Sequence, residues 1–200
     1  SNSKSVQDLC NKFHVSSDRF VMTIRRSALV EKAAKQSIKV TDAELAEWVK
    51  GRHILVRFPY GETDQAKREA AAKTKIDEVL AKVKAGEDFA KLADQYSEDN
   101  NMDPDGKKKG GSLGWYTRGQ MMPEFEKASF ALKVGEYTTE PVKTDYGYHI
   151  IKIDALGKDV TGAEKEELRQ VIQNKKLQPA MQEWYQKVQA SAQVDNKLAE

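Results

Sequence analysis

The sequence predicts an α+β fold in which a small sheet-bearing domain sits between N-terminal and C-terminal helices. Three observations carry that reading. Helical apolar spacing governs both ends of the 200-residue chain, the middle holds separated runs with strand-like alternation, and between them the order is strand, helix, helix, helix, strand with a short strand inside. The expected divisions are a helical segment over residues 1–50, the α+β domain over 51–156 and a C-terminal helix over 157–200 that packs back on the first segment.

From Val6 to Lys50 the pattern is helical. Ser16 or Ser17 caps a helix with Phe20, Ile24 and Ala28 on one face, and Thr41 with Glu44 forms a capping-box signature ahead of Leu45, Trp48 and Val49. Cys10, the single cysteine, shares a helix face with Val6, Leu9 and Phe13 and reads as a packing residue. It has no partner for an intrachain disulfide and none for a zinc site. His14, beside a helix start, reads as a surface or capping residue. Short amphipathic helices of this kind cannot bury their apolar faces alone. They require a partner.

Gly51 marks a break, and Arg52 to Phe58 reads as a strand ended by Pro59 and Gly61. A long helix follows from Asp64 to Ala85, with Ile76, Val79, Leu80 and Val83 on one side and Gly86 at its end. A shorter helix carries Phe89, Leu92, Ala93 and Tyr96. The segment from Ser97 to Gly111 is rich in Asp, Asn, Gly and Lys, the composition of a surface loop. Leu113 to Tyr116 is a short strand, Pro123 opens a helix through Phe125 and Ala128, and Val134-Gly135-Glu136 leads into further strand structure. A turn at Asp145-Tyr146-Gly147 precedes the last strand. There His149 shares its face with Ile151 and Ile153, while Tyr148 and Ile150 take the other. A histidine on a buried face is either a hydrogen-bonded core residue or a site residue with tuned proton affinity, and the strand alone leaves both open. Beyond Gly157, Thr161 and Glu164 form a capping box for a helix striped with Leu168, Val171, Ile172, Leu177, Met181, Trp184, Tyr185 and Val188, with a kink expected near Pro179.

Charged residues make up 32% of the chain against 39% hydrophobic, with a net charge of +2, so no overall field draws it to nucleic acid or anionic lipid. No run approaches the length of a membrane span, and no charged stretch followed by an apolar one opens the chain. The opening Ser1-Asn2-Ser3 resembles a cloning scar, which leaves room for a removed signal peptide or lipid anchor. Three histidines, one cysteine and no nucleophile motif leave neither a metal cluster nor a catalytic triad to build.

One ordered set of short segments is more specific. His53-Ile54-Leu55, Tyr96-Ser97-Glu98-Asp99, Gly110-Gly111-Ser112-Leu113-Gly114-Trp115, Met121 with Phe125, Phe130-Ala131-Leu132, Gly135-Glu136, Pro141-Val142 and Gly147-Tyr148-His149-Ile150-Ile151 resemble, together and in this order, the parvulin-type peptidyl-prolyl cis-trans isomerases. The helical flanks are similar to those of extracytoplasmic foldases of the PrsA and SurA kind, in which a parvulin domain is joined to a helical chaperone module. The resemblance implies a small antiparallel sheet surrounded by helices. It implies that His53 and His149 pair across adjacent strands, with Asp99 as their acidic neighbour and Thr144 close by. Leu113, Met121, Phe125 and Phe130 become the apolar wall of a proline pocket.

The activity so implied is rotation of Xaa-Pro bonds in secreted or cell-envelope proteins, without metal or cofactor, in an extracytoplasmic setting. Unfolded or partly folded polypeptides are the expected partners. A homodimer through the apolar helical segments is a further expectation, with membrane contact only through a removed anchor. Phosphate-directed parvulins carry a basic cluster in a long loop after the first histidine strand, whereas Arg57 is the only base in the short connection here, so the resemblance implies no requirement for a phosphorylated residue before proline. Asp99, beside an apolar pocket, is expected to have a raised proton affinity. The alternative is a catalytically weak, peptide-binding holdase built on the same fold.

Overall fold

The structure is a computed structural model that describes residues 16–99 and 108–191. The readings for Cys10 and His14 lie outside those residues. In chain order the described elements are α1 (Ser17–Ser37), α2 (Asp42–Ala46), β1 (Trp48–Arg57), α3 (Gln65–Lys84), α4 (Phe89–Tyr96), β2 (Ser112–Thr117), α5 (Pro123–Ser129), β3 (Val142–Thr144), β4 (Gly147–Leu156) and α6 (Gly162–Ser191). The described residues fall into two compact units, one within 41–168 and one made of 16–40 with 169–191.

In the helical unit Ser16 caps α1 as its position suggests: its hydroxyl accepts from the Arg19 N–H at 3.3 Å. Ala34 and Ile172 are buried, and the Lys176 ammonium donates to the Lys39 carbonyl at 3.2 Å. The α6 helix runs through Pro179 to Ser191 without interruption.

In the sheet unit the Thr41–Glu44 capping box is present, but α2 stops at Ala46. Trp48 and Val49, expected on its face, belong to β1, where they pair with Thr117 and Tyr116 of β2. An aromatic and a β-branched residue gain more from cross-strand packing than from two further residues of helix. The boundary expected after Lys50 therefore falls inside a strand. Gly51 is not a break either. A Cβ there would stand 3.0 Å from both the Lys152 carbonyl oxygen and the Tyr116 hydroxyl, so glycine is what lets these backbones approach.

The sheet is antiparallel with order β2-β1-β4-β3. Period-two alternation divides its residues between two cores. Ile54, Val56 and Ile150 face α3 and α4, where Ile76, Val79, Leu80, Phe89 and Leu92 cover them. Val49, Ile151 and Ile153 face the other way and pack with Tyr116 and with Phe125 of α5. Ile54, Ile76, Ile150, Ile151 and Ile153 are all 0% exposed, and each such side chain contributes about 1.5–3 kcal/mol by burial. The stretch after α5 also joins the sheet: Gly135 N–H donates to the Ile153 carbonyl and Ile153 N–H to that of Glu136. The two strands that carry histidine are thus central and pinned from both faces.

Candidate active site

Along β1 and β4, Leu55 lies opposite His149 and His53 opposite Ile151, so the histidines are diagonal neighbours on one face. Both are buried, at 6% and 5% exposure. Their rings lie 5.3 Å apart and nearly parallel, with the two Nδ1 atoms at 3.1 Å. Beyond the pair, His53 Nε2 meets Asp99 Oδ2 at 2.8 Å and His149 Nε2 meets Thr144 Oγ1 at 2.8 Å.

Asp99 is placed by backbone hydrogen bonds. Past the end of its ladder with β2, the free edge of β1 is taken by the segment that follows α4. Glu98 N–H donates to the Leu55 carbonyl at 2.7 Å, Leu55 N–H to Ser97 Oγ at 3.1 Å, and Arg57 N–H to the Glu98 carboxylate at 2.8 Å. Gly111 closes the same edge by accepting from His53 N–H at 2.9 Å. Its φ is +71°, and a Cβ would lie 2.2 Å from the His53 carbonyl oxygen, so this contact requires glycine.

The hydrogen bond from His53 holds the Asp99 carboxyl below its ordinary value, outweighing the opposing effect of burial; the Arg57 charge acts in the same lowering sense. The raised proton affinity expected from the apolar surroundings is therefore corrected: a direct imidazole donor stabilises the anion. His149 is pushed down to about 3, first by burial and then by neighbouring His53, so it is neutral near pH 7. With Asp99 ionised and His149 neutral, one arrangement satisfies every group. Thr144 O–H donates to His149 Nε2, His149 Nδ1–H to His53 Nδ1, and His53 Nε2–H to Asp99. Thr144 Oγ1 also accepts from Tyr146 N–H at 3.3 Å, which orients it. All donors point toward the carboxylate.

Above this chain lies a cavity of about 270 Å³. Its apolar wall is Leu55, Leu113, Met121, Met122 and Phe125; its polar floor is His53, His149, Thr144 and Asp99; Arg57 and Tyr146 complete the lining. Phe125, 4% exposed, presents its ring edge-on to both imidazoles, with centroids at 5.7 and 5.4 Å. Met121 is held from below: its N–H and that of Gln120 both donate to Glu126 Oε1 at 3.0 Å. Phe130 is not among the lining residues. It stands one layer back, edge-on to Tyr116, with the Arg118 guanidinium 4.3 Å above its ring. Of the eight residues expected at the site, seven line one cavity. Leu55, Met122, Arg57 and Tyr146 join them. Leu55 was readable from strand alternation two residues after His53, whereas Tyr146 reaches the cavity only through the turn between β3 and β4.

The model of the PPIC-type PPIase domain matches residues 35–156. The foldase protein PrsA of Geobacillus sp. (strain WCH70) is 42% identical over 158 residues, which cover 78% of this chain and 53% of that protein. The chaperone SurA of Chromobacterium violaceum is 38% identical over 151 residues, covering 74% of this chain and 33% of that protein. The crystal structure of PrsA from Bacillus subtilis aligns with 35% identity and a TM-score of 0.49 over 98% of this chain and 71% of that one. The chain spans about half the length, or less, of these two curated relatives. Among the described residues no helix is long and apolar enough to cross a membrane. With a family model matched over more than half its residues, the chain belongs to the PPIC-type PPIase domain family.

Proposed function

We propose that this chain catalyses cis-trans rotation of Xaa-Pro bonds in unfolded or partly folded polypeptides, and that its helical segments act as a chaperone for them in an extracytoplasmic setting. One observation carries the catalytic part: an apolar cavity opens directly over the Thr144–His149–His53–Asp99 chain. The planar amide is held by resonance worth a barrier of roughly 18–20 kcal/mol, while the isomers of an Xaa-Pro bond differ by only about 0.5–1 kcal/mol. No covalent bond has to break. A catalyst needs to favour the twisted amide, whose carbonyl has lost conjugation and whose nitrogen has become pyramidal.

Leu113, Met121 and Phe125 are suited to grip the proline ring, which fixes one side of the rotating bond. Their low polarity disfavours the charge-separated planar amide. The ordered donors and the single carboxylate at the floor keep fixed dipoles under the twisting bond, so the site has little to reorganise as the bond turns. The histidines in this account are positioning residues: both of their nitrogens are engaged within the protein.

The chaperone part is supported by the names of the relatives and by α1, which leaves Met22, Ile24 and Leu29 exposed at 55%, 55% and 67%. The test of the whole reading is exchange NMR on short unphosphorylated Xaa-Pro peptides with this chain and with its Asp99→Ala and Met121→Ala variants. Acceleration that both variants lose supports the catalytic reading. An intact chain that accelerates nothing, yet suppresses aggregation of an unfolded polypeptide, leaves only the holdase.

A further inference from the structure

We infer that the rim of this cavity selects an acidic residue beside the proline, with Arg57 as the selecting group. The inference rests on the isomerase reading above. The sheet register gives the cavity two chemically different ends. Leu113 adjoins Ser112, the partner of Arg52 on β1, whereas Arg57 pairs with Gly147 at the far end of the same strand. Five residues of strand separate those positions, about 16 Å at ~3.3 Å per residue. A proline ring seated against Leu113 and Met121 puts its own amide bond over the polar floor. The neighbouring residue is then directed to the end where Arg57 stands.

Among the described residues Arg57 is the only formal cation lining the cavity, and it is held in place. Its N–H donates to the Glu98 carboxylate at 2.8 Å and its Nε to the Glu98 carbonyl at 3.0 Å. Its terminal nitrogens make no other hydrogen bond among the described residues. The nearby carboxylates among the described residues are otherwise engaged: Asp99 with His53, and Glu98 with the Arg57 backbone and with Lys75 at 3.8 Å. An anchored guanidinium with its fork open is built to take a carboxylate through two parallel N–H bonds. Tyr146, 57% exposed at the same end, offers its ring to the methylene stem of a glutamate. A lysine in that place meets a like charge instead.

The test is exchange NMR on matched peptides that differ only in glutamate, glutamine or lysine immediately before or after proline. Glutamate peptides are expected to isomerise about two- to fivefold faster per enzyme than their glutamine counterparts, the range an exposed ion pair supports, with lysine peptides slowest. Raised salt is expected to shrink that ratio. In Arg57→Gln it should fall to about one, and in Arg57→Glu lysine should overtake glutamate. Each ratio is taken within one variant, so a general loss of rate does not affect it. Acceleration of the glutamine peptides with equal glutamate rates at both positions overturns the inference and leaves the isomerase reading standing. Failure to accelerate any peptide sinks that reading, and chemical-shift titrations with the same peptides then decide whether Arg57 selects a carboxylate in binding.

Discussion

Mild acid should weaken the sheet unit through His149. Burial moves this imidazole from the ordinary 6.5 to about 3, so between those values the unfolded chain binds a proton there that the folded chain does not. The sign follows directly. A depressed folded value gives stability that is fully present above the unfolded value and is lost as pH falls toward the folded one. Going from pH 7 to pH 5, the linkage integral for one such group is about 2 kcal/mol, approaching ~1.4 kcal/mol per further pH unit until the folded value is reached. Asp99 does not interfere, because its lowered value places its own loss below 3.8.

Urea unfolding read by tryptophan fluorescence measures the effect. A Trp184→Phe background leaves Trp48 and Trp115, both in the sheet unit, as reporters. His149→Gln keeps an amide able to bond Thr144 but removes the proton-binding site. This variant should be less stable at pH 7 and should lose about 2 kcal/mol less on going to pH 5 than the parent. An equal loss in both proteins, or no loss in the parent, refutes the argument that buried His149 stays neutral.

Other expectations follow from single contacts. Phe125→Ala removes a buried ring that touches both histidines, and is expected to cost about 3–5 kcal/mol of stability together with nearly all isomerisation, read by urea midpoint and exchange NMR. Thr144→Val deprives His149 Nε2 of its donor and should cost about 1–3 kcal/mol, while Thr144→Ser should stay close to the parent in the same denaturation series. Asp99→Asn can still accept from His53 but carries no charge; its isomerisation rate should fall between those of the parent and Asp99→Ala, and equality with the parent would mean that the charge has no role. Gly111→Ala forces a left-handed backbone and a 2.2 Å clash with the His53 carbonyl, so amide hydrogen exchange at His53 should quicken markedly.

Much of the fold around this cavity was legible in the sequence, and the reasons are local. Strand alternation puts His149 with Ile151 and Ile153, and the same period puts Leu55 with His53. Capping residues set the start of α1, α2 and α3, since Ser16, Thr41 and Asp64 each satisfy orphan N–H groups within three residues. What was not legible depends on partners distant in sequence. Trp48 and Val49 look helical until β2 exists to pair with them. The direction of the Asp99 shift needed the 2.8 Å contact with His53, forty-six positions away. Phe130 is apolar like the residues that line the cavity, and only tertiary packing sets it against Tyr116 instead.

The closed edge of β1 bears on how such a protein survives its own work. An exposed strand edge is a template on which any extended chain can add itself, and unfolded polypeptides are the partners proposed here. Over the half of β1 that carries the site, Gly111, Ser97 and Glu98 occupy that edge with loop backbone and side chains. The opposite margin of the sheet is β3, only three residues long, entered from Pro141 and carrying exposed Lys143. A passing strand finds no continuous ladder at either place. Over that half of β1, the hydrogen bonds that set Asp99 beside His53 are also the ones that close the edge to an added strand.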